Sequence, residues 1–121
     1  LAVGDAIGAP AEFKKSGDSK QVTGMTDGGT WSLPAGYWTD DTSLALCLAE
    51  SLLEKGRFEL ADQLDRYLLW YLEGHLSSTG ECFGIGITTR AALKHYVVFN
   101  SWLVDTSVES PAGNSAVSDT N

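Results

Sequence analysis

The stretch Trp38-Thr39-Asp40-Asp41-Thr42-Ser43-Leu44-Ala45-Leu46-Cys47-Leu48-Ala49-Glu50-Ser51-Leu52-Leu53-Glu54-Lys55-Gly56 decides the fold. Leu44, Leu48 and Leu52 return every fourth residue, and Ala45, Leu46, Cys47, Ala49 and Leu53 fill the positions between them. That period belongs to a helix. Apolar side chains take most of the circumference of Thr42 to Lys55, which predicts a helix central to the core. Thr39 or Asp40 is its expected N-cap, and Lys55-Gly56 its expected stop.

Outward from this helix the same period recurs. Phe58 to Gly74 is amphipathic, with Leu60, Leu64, Tyr67, Leu68 and Tyr71 expected to face inward and Asp62, Asp65, Arg66 and Glu73 outward, and Gly74 ends it. A further helix is expected over Thr88 to Phe99, opened by Thr88 or Thr89. Leu1 to Lys15 places Ala2, Ala6, Ala9 and Phe13 on one face, with Gly4 and Gly8 spaced to admit another backbone, although Pro10 threatens its continuity. Gln21 to Trp38 has neither period and is punctuated by Gly28-Gly29, Pro34 and Gly36, so it reads as a long loop. Loops of such length in compact domains are usually functional or disordered. The five Ser and two Thr of 101–121 predict a poorly ordered tail. The sum is an all-α fold of four to five helices with long loops.

Composition bounds the function classes. Sixteen Asp and Glu against eight Lys and Arg leave a net charge of -8, so no basic stripe is available to neutralise phosphates and nucleic acid is an unlikely partner. No apolar run reaches the roughly 20 residues of a membrane span. Cys47 and Cys82 are too few for a secreted disulfide framework, and Leu1-Ala2-Val3-Gly4-Asp5 has no signal-peptide form, so a cytoplasmic setting is expected. A start inside a helix and without Met suggests a sequence cut from a longer one.

The densest polar cluster is Thr39-Asp40-Asp41-Thr42, at the mouth of the central helix. Its hard oxygen donors suit Mg, Mn or Ca rather than zinc. Adjacent helical positions point about 100° apart, so Asp40 and Asp41 can hold different edges of one metal or two different metals. The competing reading is capping, since first-turn acids complement the helix dipole. Four consecutive oxygen-bearing residues exceed what a cap uses, which favours the cation. Glu12 is either a second acidic site residue or a solvated surface group. Thr88-Thr89-Arg90 reads as a cap followed by a surface Arg, or as an anion site, and Phe83-Gly84-Ile85-Gly86 as a turn or a loop over a ligand. His75 and His95 have no Cys at zinc spacing, neither thiol has a nucleophile's signature, and no phosphate-binding glycine motif occurs.

Three segments in order, Gly4-Asp5-Ala6-Ile7-Gly8-Ala9-Pro10-Ala11-Glu12-Phe13, Trp38 through Leu46, and Cys82-Phe83-Gly84-Ile85-Gly86-Ile87-Thr88-Thr89-Arg90-Ala91-Ala92-Leu93, resemble the opening motifs of the ADP-ribosylglycohydrolase family, which includes ADP-ribosyl-[dinitrogen reductase] hydrolases. The resemblance implies a helical domain over 1–100 and a binuclear Mg or Mn centre that removes ADP-ribose from protein side chains, commonly arginine. It puts the family's metal triplet on Thr39, Asp40 and Asp41 and its first-motif glutamate on Glu12, as ligand or water-positioning group. Asp41 and Glu12 then take the catalytic roles. Phe83, Gly86, Gly113 and Asn114 fall where the family holds substrate, so the implied partner is an ADP-ribosylated protein or ADP-ribose.

The sequence departs from that pattern at three places. Gly84 and Ile87 stand where the family usually has Asp and Asn. The residues that should follow Gly113-Asn114 are absent, and so is the family's downstream Asp-x-Asp-Thr. By this resemblance the chain is an N-terminal portion with half of the metal shell. The alternative is a truncated, non-catalytic helical module that at most binds ADP-ribose or a protein partner.

Overall fold

The computed structural model of the chain describes residues 1–17 and 21–106, with side chains described through residue 100. Four α-helices carry the architecture: α1 Ala2–Gly8, α2 Asp40–Lys55, α3 Leu60–Glu73 and α4 Ile87–Thr106. Among the described residues extended pairing is confined to one antiparallel bridge, Gly28 with Leu33, inside the long loop. The all-α fold expected from the periodicity is therefore present. No helix among these residues is long and apolar enough to cross a membrane.

The first helix is shorter than its pattern predicts. It stops at Gly8, and a single 3-10 turn, Ala9–Ala11, carries the chain through Pro10. Proline has no N–H to extend the helical ladder, and the tighter turn accommodates it. Beyond the turn Phe13 sits at φ 65, in the left-handed region. The close approach expected at Gly4 and Gly8 is made elsewhere: the space beside both is open, whereas a Cβ on Gly29 would stand 2.6 Å from the Pro10 Cα. The long loop crosses the turn there, and its bridge buries Leu33.

Helix α2 packs chiefly on α3, and α1 also touches α2 while α4 touches α3. Its buried stripe is Thr42, Ser43, Cys47 and Ser51, not the leucines. Leu46, Leu52 and Leu53 are 38%, 41% and 84% exposed, which corrects the expectation of all-round burial. Small side chains explain the choice of face: the Cys47 thiol lies 3.6 Å from the Arg66 carbonyl of α3, an approach that bulky residues would prevent. Gly56 ends the helix in the left-handed conformation as expected, at φ 64.

Helix α3 buries Gln63 and Trp70, with Leu64, Tyr67, Leu68 and Tyr71 half-buried and Leu60 largely exposed. Arg66, expected to face solvent, is instead enclosed by carboxylates: Glu50 and Glu54 of α2 and Asp62 of α3 each stand 2.7 Å from it. His75 meets the same Glu50 at 2.8 Å. Helix α4 begins at Ile87 rather than at a Thr cap, with the Gly86 carbonyl accepting from the Arg90 amide. It runs to Thr106, beyond the expected stop at Phe99, because no Gly or Pro interrupts 100–106. The remainder of the expected tail, 107–121, lies outside the described residues.

Candidate functional site

The N-terminus of α2 is organised by a residue of α1. Asp5 Oδ2 accepts hydrogen bonds from the backbone N–H groups of Thr39 (2.9 Å) and Thr42 (3.2 Å) and from the Thr42 hydroxyl (2.6 Å). Its Oδ1 accepts from the Thr39 hydroxyl at 2.7 Å. Thr39 occupies the N-cap position, but its side chain makes no capping bond. The cap is supplied across space, which leaves the Thr39 hydroxyl to other uses. Burial pushes the Asp5 carboxyl up, and its bonds from Thr42 and Thr39 outweigh this and hold it below the usual range. Sequence reasoning missed this role, since an Asp in a helical first turn reads as an ordinary dipole partner.

Above this cap lies an open cleft of about 400 Å³ lined by Asp5, Glu12, Thr39 and Asp41 beside Gly8, Ala9 and Ala11. Three of the four candidate metal residues thus share one cleft. Asp40 turns to another side, toward the 83–87 loop: a Cβ on Gly84 would stand 2.7 Å from its Oδ1. Thr39 is buried, Asp40 half-buried, and Glu12 and Asp41 are exposed. Burial raises the Asp40 carboxyl, and repulsion from Asp41, Glu12 and Asp5 adds to it. A cation would relieve that crowding, and the donors are the hard oxygens that Mg or Mn prefers. They fit such an ion in kind but not in number, for among the described residues no three His, Cys, Asp or Glu side chains converge on one metal position.

The 83–87 loop borders a second cleft of about 650 Å³, lined by Phe13, Trp31, Tyr71, Phe83, Gly86 and Arg90 among others. Trp31 lies between the two phenylalanines, 6.4 Å from Phe13 at 74° and 5.6 Å from Phe83 at 58°. Its indole N–H reaches Glu12 Oε2 at 3.5 Å, linking the aromatic cleft to the acidic one. Phe83 and Gly86 therefore line this neighbouring cleft, and Gly113 and Asn114 lie outside the described residues. Trp31 was not legible as a site residue, because a single aromatic in a glycine-rich loop has no period to place it. Gly84 sits at φ 73, so both its conformation and the Asp40 carboxylate disfavour a side chain there. Neither thiol is poised for attack: burial pushes the Cys47 thiol up to about 11 and raises Cys82 as well.

Fold and clefts together define a class, an all-α domain with an acidic cleft at a helix N-terminus and an aromatic one beside it. The chain belongs to the ADP-ribosylglycohydrolase family, whose sequence profile matches residues 1–120. It is similar to the "ADP-ribosylarginine hydrolase Tri1" of Serratia proteamaculans (47% identical over 118 residues, 97% of this chain and 32% of the relative). It is also similar to the "ADP-ribosyl-[dinitrogen reductase] glycohydrolase" of Rhodospirillum rubrum (36% over 120 residues, 96% of this chain and 38% of the relative). A solved structure described as an "ADP-ribosylglycohydrolase-related protein complex" superposes with a TM-score of 0.65 at 50% identity, over 79% of this chain and 29% of that one. The chain thus spans about a third of the length of these relatives.

Proposed function

We propose that the chain contributes the first metal half-site and part of the substrate cleft of a hydrolase that removes ADP-ribose from modified protein side chains, arginine foremost. The observation that carries the reading is the meeting of Glu12, Thr39 and Asp41 in one cleft, in a chain whose relatives include a protein named an ADP-ribosylarginine hydrolase. In the reaction, a water oxygen bonds to C1 of the ribose and the bond from C1 to the guanidine nitrogen breaks. The nitrogen takes up a proton, giving the unmodified arginine side chain and ADP-ribose.

Thr39, Asp40 and Asp41, with Glu12, are the residues that would hold Mg or Mn. Held there, such an ion would supply Lewis-acid chemistry, orienting ribose hydroxyls and lowering the pKa of water. The other requirements fall to the chain. Departure from C1 builds oxocarbenium character, which the Asp41 and Glu12 carboxylates offset. Glu12, exposed at the cleft and tied to the Trp31 indole, is suited to position the attacking water and to take its proton.

The test is release of ADP-ribose from an ADP-ribosylated arginine protein, with and without Mg or Mn. Metal-dependent release that is lost in Asp41→Asn supports the proposal. The second reading, a module that binds ADP-ribose without cleaving it, is favoured by Gly84, which replaces a polar group of the family pattern. Binding without release selects that reading. Neither binding nor release overturns both.

A further inference from the structure

We infer that the aromatic cleft receives the arginine side chain of the modified protein, with its guanidinium lying flat on the Trp31 indole. The inference rests on the reading above, in which C1 of the ribose reacts beside Glu12, but it involves no metal. The leaving nitrogen is one bond from C1. Trp31 is one hydrogen bond from Glu12, its indole N–H reaching Oε2 at 3.5 Å. A group beside Trp31 therefore adjoins the bond that breaks, whereas the adenine end of ADP-ribose is separated from C1 by a diphosphate and a second ribose.

The walls suit a planar cation. Trp31 is half-buried and shares the cleft with Phe13, Tyr71 and Phe83. Its contacts with the two phenylalanines are edge-on and tilted, so neither ring is stacked parallel on the indole. Indole is the best cation–π partner, and a guanidinium, flat and weakly hydrated, stacks on it more readily than an ammonium. Two carboxylates flank the cleft, Glu12 at the indole edge and Asp40 against Gly84. Arg90 lines it too, but Arg90 and Asp40 act with opposite sign on the Cys82 thiol, so that cation is offset. The balance favours a cation over the diphosphate of a nucleotide. The backbone agrees with a binding role. Phe13 stays 74% exposed at φ 65, and Ser32, next to Trp31, sits at φ 50. A phenylalanine held in that region without being buried adds nothing to the core, and such strain gathers at ligand clamps.

The test is an NMR titration of the metal-free chain with Nα-acetyl-arginine amide, read at the Trp31 indole N–H and the 83–86 amides. The expected result is a saturable shift of those signals, with the matching lysine amide bound several-fold more weakly. Trp31→Leu, read at 83–86, and Phe13→Leu should each weaken the arginine probe about two- to fivefold, and Trp31→Phe should weaken it less than Trp31→Leu. ADP-ribose should not displace the probe. No saturable shift, an equal response to the lysine amide, wild-type affinity in Trp31→Leu, or displacement by ADP-ribose would each overturn the inference. The wild-type titrations decide it even if Trp31→Leu fails to fold. Release of ADP-ribose from an arginine-modified protein, with no Trp31 response to arginine, would defeat this inference alone. An arginine response in a chain that neither binds nor releases ADP-ribose would instead defeat the hydrolase reading on which it rests.

Discussion

Asp41 and Glu12 are exposed at the cleft and support little of the fold, so their chemistry can be tested apart from stability. Asp41→Asn and Glu12→Gln should leave thermal unfolding within about 0.5 kcal/mol of wild type, as substitutions on exposed surfaces do. Both should lower metal-dependent ADP-ribose release by about 100-fold or more, the usual scale for a lost acid-base group. Gly84 is the opposite case. A Cβ there would meet Asp40 Oδ1 at 2.7 Å in a backbone at φ 73, so Gly84→Ala should cost about 1–2 kcal/mol in urea denaturation. An unchanged midpoint would contradict the geometry of the loop. At this scale oxygen donors crowding where a helix begins singled out Thr39, Asp40 and Asp41 as candidates, and Glu12 came in as a site residue only through the family resemblance; the structure gathers Glu12, Thr39 and Asp41 at one cleft. Asp5 was hidden, since its meaning lies in Thr39 and Thr42, 34 and 37 residues away.

The helices show which signals carry furthest. Gly56 and Gly74 end α2 and α3 at φ 64 and φ 73, and both stops were legible because glycine adopts that conformation without strain. The buried face of α2 was not legible. Leucine periodicity points to Leu44, Leu48 and Leu52, whereas close approach to α3 selects Ser43, Cys47 and Ser51. The Arg66 cluster was equally hidden, because three carboxylates on two helices meet only after packing. Hydrogen bonds from Arg66 first, with Lys55 3.4 Å away, hold the Asp62 carboxyl below its ordinary 3.8. Those from His75 and Arg66 hold Glu50 below its ordinary 4.5. A depressed carboxyl contributes stability that is fully present above its unfolded pKa and is lost as pH falls through the folded value. Unfolding temperature should therefore decline as pH drops below about 4.5. Arg66→Met should lower stability at neutral pH and flatten that decline, which melts across a pH series would reveal.

The described residues carry more apolar surface than their core absorbs. Trp70, Leu93, Leu33 and Cys47 are buried, while Leu53, Leu72, Val98 and Ile87 are 84%, 71%, 69% and 90% exposed. Extensive exposed apolar surface promotes association. Sedimentation should show mass rising with concentration, and Leu53→Glu should shift it toward the monomer. A compact monomer at every concentration would contradict this. Helix content and the long Gln21 to Trp38 loop were legible from period and punctuation alone. The clefts were not, because they arise where the 83–87 loop and the turn after α1 converge on one end of α2. The central claim, that the Glu12, Thr39 and Asp41 cleft is a metal-dependent ADP-ribose site, is tested most directly by calorimetric titration of the chain with ADP-ribose, with and without Mn. Binding heat should require Mn and disappear in Asp41→Asn. Binding that is indifferent to both Mn and Asp41, or none under either condition, would contradict it.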